Sequence, residues 1–297
     1  MYALVVGAVS GGVLSALPQG RAQLVEVACS PAAAERGLIK TRTVKARTES
    51  LVAAGHFVRE DDGLFLYESP HGQTWMPAAD DLWSLAVVEA EQEQRMYGAP
   101  QGIGVRRGDV VLDVGAHVGL FTRQALAAGA AKVITFEVTP KSNRALRRNL
   151  HDEIASGRVV VMEQGAWFED ATLPLVVVDR CSVCNSVSHP WMRATVDVPL
   201  TTIDKVVRDL HLPHVDFIKL DIENAEANAL RGATETLRRD HPRLAVALEN
   251  AKDRTAYGRE VLGVIRGAYG PYRYTCGAMT PSGRGMPPLP DVLHFYP

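Results

Sequence analysis

The chain has 297 residues, enough for two units or one elaborated α/β domain, and its hydrophobic content of 46% can fill a core. Its 32 basic and 34 acidic residues leave a formal net charge of −2. That balance gives no electrostatic ground for a nucleic acid as substrate, and none is expected.

Residues 1–20, MYALVVGAVSGGVLSALPQG, carry no charge. Gly7 and Gly11 have the small-x-x-x-small spacing of packed membrane helices. The stretch before Pro18 is nevertheless marginal for a span, and it lacks the basic start of a signal peptide. A helix covering the domain, weak membrane association and a cleaved segment all stay open. Residues 36–80 read as a small accessory element. RTVKARTESLVAAGHFVRE contains short β-prone runs, Asp61-Asp62-Gly63 supplies a turn, and GLFLYESPHGQTWMP reads as two strands around Ser69-Pro70-His71-Gly72. Next, DDLWSLAVVEAEQEQRMYG opens with acids suited to a helix N-terminus and spaces Leu82, Leu85, Val88 and Ala90 near a helical stripe. This helix is expected to lead into the main domain and to shield one side of its pocket, with Glu91, Glu93 and Tyr97 on a solvated surface. The boundary is placed so that residues 1–99 form an N-terminal extension and residues 100–297 the main domain.

The most informative stretch follows at residues 110–119, VVLDVGAHVG. A short apolar run reads as a buried parallel strand that ends in Asp113. Gly115 and Gly119 then precede a helical stretch, and glycine at such a turn lets the backbone approach a ligand closely. A second apolar run, KVITFE, delivers Glu137 where a Rossmann-like fold places a ribose-binding acid. The pair describes a pocket for a nucleoside-bearing cofactor, although glycine motifs are weak alone and an ordinary α/β core would also carry one. A dinucleotide site would use G-x-G-x-x-G facing a pyrophosphate. Here the pattern is D-x-G-x-x-x-G, with Ala116 and His117 inside the turn. S-adenosylmethionine is cationic and has no phosphate, so the acid Asp113 suits it and would repel a pyrophosphate. The spacing therefore favours S-adenosylmethionine over a nicotinamide dinucleotide.

Beyond Glu137 helices and strands alternate. Arg144, Arg147 and Arg148 fall on the helix after it and read as a solvated face. RVVVMEQGAW is a strand running into Gly165, which puts Gln164, Gly165 and Ala166 beside an adenine. LPLVVVD and TVDVPL pair around a loop holding Cys181 and Cys184. That lone C-x-x-C lacks the second pair or the spaced histidines of a zinc site, His189 sitting beside Pro190. No metal site is assigned. With Cys29 and Cys276 far apart in sequence, the four cysteines read as reduced thiols of a cytoplasmic protein. VDFIKLDIE is a central strand, ANALRGATETLRRD a helix and RLAVALEN the next strand, which ends in Glu249 and Asn250. YGREVLGVIRGAYG suits a helix, and YRYTCG and DVLHFY suit a closing antiparallel pair joined by TPSGRGMPPLP. Such alternation implies a mostly parallel sheet with right-handed crossovers.

Several ordered motifs in the second half carry a resemblance. Thr201, Thr202 and Asp204 lie in PLTTID, and Lys219, Asp221, Glu223, Ala225 and Glu226 lie in KLDIENAE, behind Asp113 and Gly115 and behind Glu137 with Pro140. Over roughly residues 100–297 the chain resembles the FkbM-type class I S-adenosylmethionine-dependent methyltransferases. The family usually has glycine where Asn224 stands. Asn is the residue that best tolerates a left-handed backbone after glycine, so the turn is expected to be kept. The resemblance implies a Rossmann-like, mostly parallel seven-stranded sheet with a C-terminal antiparallel hairpin, here behind a small N-terminal α+β extension. It also implies O-methylation of a sugar, glycan or polyketide-like small molecule. Expected to hold the cofactor are Asp113, Gly115, Ala116, His117, Gly119, Glu137, Gln164, Gly165 and Ala166. Because the donor is already activated, the protein would chiefly align donor and acceptor. Asp221 or Glu223 would accept the proton of a hydroxyl acceptor, which is a weak nucleophile before it is lost. Two other classes stay open: a nicotinamide oxidoreductase and a nucleoside-binding module without catalysis.

Overall fold

The computed structural model describes residues 29–98, 102–177, 182–185, 195–248, 251–282 and 287–297. The apolar start at residues 1–20, Cys181, the side chain of Cys184, His189, Glu249 and Asn250 lie outside the described residues. No described helix is long and apolar enough to cross a membrane.

The first described element departs from expectation. Instead of β-prone runs, α1 (Pro31–Ala54) is a helix of 24 residues. Ser30 caps it by accepting from the Ala33 amide, and Pro31 occupies the first turn, where its missing N–H costs nothing. The hydroxyls of Thr43 and Thr48, which suggested strand, donate back to the carbonyls of Ile39 and Val44 at 2.9 Å each. Leu51 is buried with Ala86 and Ala90 of the following helix, and that packing overrides local propensity. The ribbon β1 (His56–Asp61), β2 (Leu64–Ser69), β3 (Gly72–Met76) turns where expected, at Asp62-Gly63 and Pro70-His71. Helix α2 (Leu82–Glu93) buries Leu85, Ala86 and Ala90 on one side. Two arginines of a later helix fasten the ribbon, Arg144 pairing with Asp62 and Arg148 pairing with Asp61 at 2.9 Å while lying over the Trp75 ring, and a third, Arg147, pairs with Glu163 of the main domain. Arg144 and Arg147 are exposed, as expected, and Arg148 is half-buried.

The main domain runs β4 (Val110–Val114), α3 (Leu120–Ala127), β5 (Lys132–Phe136), α4 (Pro140–Asn149), α5 (His151–Ala155) and β6 (Val159–Met162). An excursion follows: β7 (Gly165–Ala166), β8 (Ala171–Val176), a 3-10 turn at Ser182–Cys184 and β9 (Thr195–Thr201). β8 and β9 pair antiparallel with Ala171 opposite Leu200, the pair expected around the cysteine loop. Next come α6 (Ile203–Asp209), β10 (Phe217–Leu220), α7 (Glu226–Arg231), α8 (Thr234–Asp240), β11 (Arg243–Ala247) and α9 (Arg254–Ala268). β12 (Arg273–Cys276), β13 (Met279–Thr280), β14 (Leu289–Pro290) and β15 (Val292–Tyr296) close the chain. The single helix expected over residues 227–240 is two, α7 and α8. Gly232 separates them, because a Cβ there would lie 1.9 Å from the Trp167 carbonyl oxygen.

Seven strands form one sheet in the order β12-β15-β11-β10-β4-β5-β6. The four pairings from β11 to β6 are parallel and the two involving β15 antiparallel. This is the class I methyltransferase arrangement. Every residue of β10 is buried, as a strand covered by helices on both faces requires. The order reverses direction at β4, so a crevice opens beyond the carboxyl ends of β4, β5 and β10.

A disulfide corrects the expectation of reduced thiols. Cys29 and Cys276, 247 residues apart, are bonded with their Cα atoms 5.8 Å apart, tying the start of α1 to the end of β12. Sequence separation hid the contact. It also removes cysteine usage as a ground for placing the chain in a reducing compartment. Closing so long a loop stabilises a fold by about 2–4 kcal/mol. Reduction, or Cys276→Ser, should lower the thermal midpoint by roughly 5–10 °C. A melt unchanged by reductant would show that the bond does not form in solution.

Candidate active site

The crevice is a cavity of about 380 Å³. Its floor is the turn from β4 to α3. The amides of Gly115 and Ala116 both donate to the Phe136 carbonyl at 3.0 Å, locking the turn to the end of β5. Gly115 has φ +86°, and a Cβ would lie 1.9 Å from the Asp221 carbonyl oxygen, so only glycine fits there. His117 follows at φ +51°. Its amide donates to Glu137 at 2.8 Å, while the Thr139 amide donates to the other Glu137 oxygen at 2.7 Å. Glu137 thus lines the cavity with each carboxylate oxygen fixed by one backbone N–H and a lone pair left on each. Burial pushes its carboxyl above the usual range, against the pull of those amides.

The opposite wall is built around Lys219. Its side chain is 4% exposed, and its ammonium donates to the Gly115 carbonyl at 2.7 Å and stands 3.4 Å from Asp113 and 3.5 Å from Asp221. The rings of Tyr97 and Phe121 lie 5.2 and 5.9 Å away. Burial works against its charge, but Asp113 and Asp221 outweigh that and hold the ammonium above its ordinary range. The Tyr97 hydroxyl donates to Asp221 at 2.8 Å. Glu91 of α2 also opens on this wall; burial, with Asp221 nearby, pushes its carboxyl to about 8. Burial and Asp221 raise Glu223 likewise to about 8. Glu223 and Asn224 sit at φ +56° and +72°, so the left-handed turn is kept without glycine. Glu226 holds that turn: it accepts from the Ile222 amide at 2.9 Å and the Tyr257 hydroxyl at 2.6 Å, and is itself 2% exposed.

Of the residues nominated from sequence, Gly115, Ala116, His117, Glu137, Gly165, Ala166, Asp221 and Glu223 line this one cavity. Three do not. Asp113 is fully buried beneath the turn, accepting from Thr122 at 2.6 Å and facing Lys219, so it cannot touch a ligand. Gly119 starts α3 at φ +91°, where a Cβ would strike Leu150 at 2.6 Å; its role is packing. Gln164 stands just before β7 and does not line the cavity. His117 does face the cavity; its Nε2 lies 2.6 Å from the Ser182 hydroxyl, and burial, with Lys219 nearby, keeps the imidazole neutral down to about 4.

A model of the methyltransferase FkbM domain matches residues 113–267, more than half of the chain. The chain belongs to that family. One FkbM relative is the 31-O-demethyl-FK506 methyltransferase FkbM of Streptomyces tacrolimicus, 24% identical over 198 residues that cover 56% of this chain and 74% of that protein. A solved FkbM methyltransferase from Methylobacillus flagellatus overlaps 87% of this chain at 15% identity and a TM-score of 0.49; the present chain spans 59% of its length. A precorrin-6y C5,15-methyltransferase from Geobacter metallireducens overlaps 64% of this chain and 78% of its own length, at 10% identity and a TM-score of 0.38. The FkbM segment contains the turn, Glu137, Lys219 and Glu223. Trp83, Val87, Glu91 and Tyr97 line the same cavity from outside it. Glu91 and Tyr97, expected on solvated surface, are therefore corrected to cavity residues. The only signal for them was that they lie on the helix expected to shield the pocket. Glu93 instead forms a surface link, paired with Arg47 of α1 at 2.7 Å and with His71 at 2.5 Å.

Proposed function

We propose that the protein transfers a methyl group from S-adenosylmethionine to a hydroxyl of a sugar, glycan or polyketide-like small molecule. The observation that carries the cofactor reading is Glu137: a strand-end carboxylate, held by two backbone amides, faces the cavity as a receptor for paired ribose hydroxyls. Ala116 and His117 fill the turn that a pyrophosphate would need open, which favours this cofactor over a dinucleotide. The Streptomyces relative is named for a 31-O-demethyl substrate, which favours oxygen as the acceptor atom. Bound here, the cofactor would supply a methyl group already activated for transfer.

The chain's own groups then have separable tasks. His117, neutral and tied to Ser182, closes the cavity against water near the turn. Asp221 has one oxygen engaged by Tyr97 and Lys219, which suits it to positioning rather than proton transfer. Glu223 is the better proton acceptor. Burial and the Asp221 charge push its carboxyl up to about 8, toward the range in which a general base works best, and its backbone is held at φ +56°.

Calorimetry with S-adenosylhomocysteine tests the reading. Glu137→Ala removes the acceptor of two hydrogen bonds to a charged group and should weaken binding by roughly 10- to 100-fold. Affinity within twofold of the unmodified protein would sink the ribose assignment.

A further inference from the structure

The cavity is divided by polarity. Val138, Leu175 and Leu200 belong to one apolar cluster, and Val138 and Leu200 lie against Gly165, an apolar slot suited to a nucleobase. Gly115, Lys219, Asp221 and Tyr97 are linked to one another, with Glu91 within reach of the Asp221 and Lys219 charges, so charge is concentrated there. If a ribose rests on Glu137, the amino-acid tail of the cofactor, which carries an ammonium, falls on the charged side. The acid nominated from sequence for that ammonium, Asp113, is sealed under the turn and neutralised by Lys219. Asp221 already serves Tyr97 and Lys219. Glu91 differs from both. It opens on the cavity, and no hydrogen bond to another described residue occupies its carboxyl group.

The helix that carries it is built to hold it still. Trp83, Val87 and Glu91 recur every fourth residue along the face of α2 that meets the cavity, so Glu91 is the polar end of an otherwise apolar stripe. Ser84 donates to Asp81 at 2.5 Å at the helix start, Ser69 of β2 donates to Glu89 at 2.6 Å, and Arg47 of α1 grips Glu93. Burial and the Asp221 charge favour the neutral acid there, against the pull of Lys219. An arriving cation changes that balance: the carboxylic acid gives its proton to solvent and the carboxylate pairs with the ligand.

We propose that Glu91, contributed by the N-terminal extension, is the carboxylate that receives the positively charged amino-acid end of the cofactor. The assignment rests on the methyl-transfer reading above and adds to it a binding residue outside the family segment.

Two probes separate this proposal from that reading. S-adenosylhomocysteine carries the amino-acid tail; 5′-methylthioadenosine has the same nucleoside and sulfur without it. Glu91→Gln imitates the neutral acid, so the fold should be kept, which a thermal melt checks. The variant should bind S-adenosylhomocysteine about 10- to 100-fold more weakly and 5′-methylthioadenosine within twofold of the unmodified protein. A second measurement needs no variant: near pH 7, heats in buffers of different ionisation enthalpy should reveal proton release with the first probe and none with the second. Unchanged affinity for S-adenosylhomocysteine, equal weakening of both probes, or buffer-independent heats with both would each overturn the assignment. If Glu137→Ala weakens both probes while Glu91→Gln weakens neither, the cofactor reading stands and Glu91 belongs to the acceptor side. An unmodified protein that binds neither probe takes down the cofactor reading and this assignment together.

Discussion

Lys219→Met should destabilise the protein by about 3–5 kcal/mol, because removing one member of a buried ion pair leaves the other charged and unsolvated. Asp113 is the group left exposed to that penalty. It is fully buried, and among the described residues its side chain has, apart from Lys219, only the Thr122 hydroxyl as a partner. Methionine fills much of the lysine stem's volume, so cavity formation adds little and the charge dominates. The midpoint of thermal unfolding should drop by about 10 °C. Adding Asp113→Asn removes the stranded charge and should recover a large part of the loss. A double variant no more stable than Lys219→Met alone would show that the ion pair is not the cause.

Gly115→Ala should abolish cofactor binding as well as weaken the fold. The added methyl group would sit 1.9 Å from the Asp221 carbonyl oxygen and 2.9 Å from Ile222, at a backbone φ of +86°. No side-chain rotation relieves an overlap with backbone. The turn must peel away from β10, which breaks the amide contact to Phe136 and the Lys219 hydrogen bond to Gly115. Strain and lost bonds together put the cost at about 3 kcal/mol or more, and affinity for S-adenosylhomocysteine should fall by at least about 100-fold. Gly263→Ala in α9 is the matched control: nothing lies within 4 Å of its Cβ, so it should be neutral or slightly stabilising. Near-parental affinity in Gly115→Ala would mean that the turn is not the cofactor's seat.

Much of this could be read in the sequence because the decisive contacts there are local. The apolar runs of β4, β5, β10 and β11 announced a parallel sheet, and the β8–β9 pair was visible around its loop. Gly115 and Glu137 line the cavity at the strand ends where their spacing placed them. What stayed hidden depends on elements far apart in the chain. Helix α1 carries threonines and valines that favour strands, and only contact with α2 and the back-bonded hydroxyls turns them helical. Asp113 looked like a ligand-facing acid because the lysine that neutralises it comes from β10. Gly119 shares a motif with Gly115, yet the side chain it accommodates, Leu150, is invisible in that motif. Glu91 lies off the Leu82, Leu85, Val88 and Ala90 stripe and Tyr97 lies beyond the end of α2, positions that ordinarily mean solvent; here both line the cavity. Cys29 and Cys276 are joined by tertiary structure alone.

The placement of α2 bears on how much of the chain the cavity requires. The matched segment supplies 22 of the 28 described residues that line the cavity, and the six others, Trp83, Val87, Val88, Glu91, Gln92 and Tyr97, come from residues 83–97. The cavity of this chain is therefore incomplete without residues that the family match does not include.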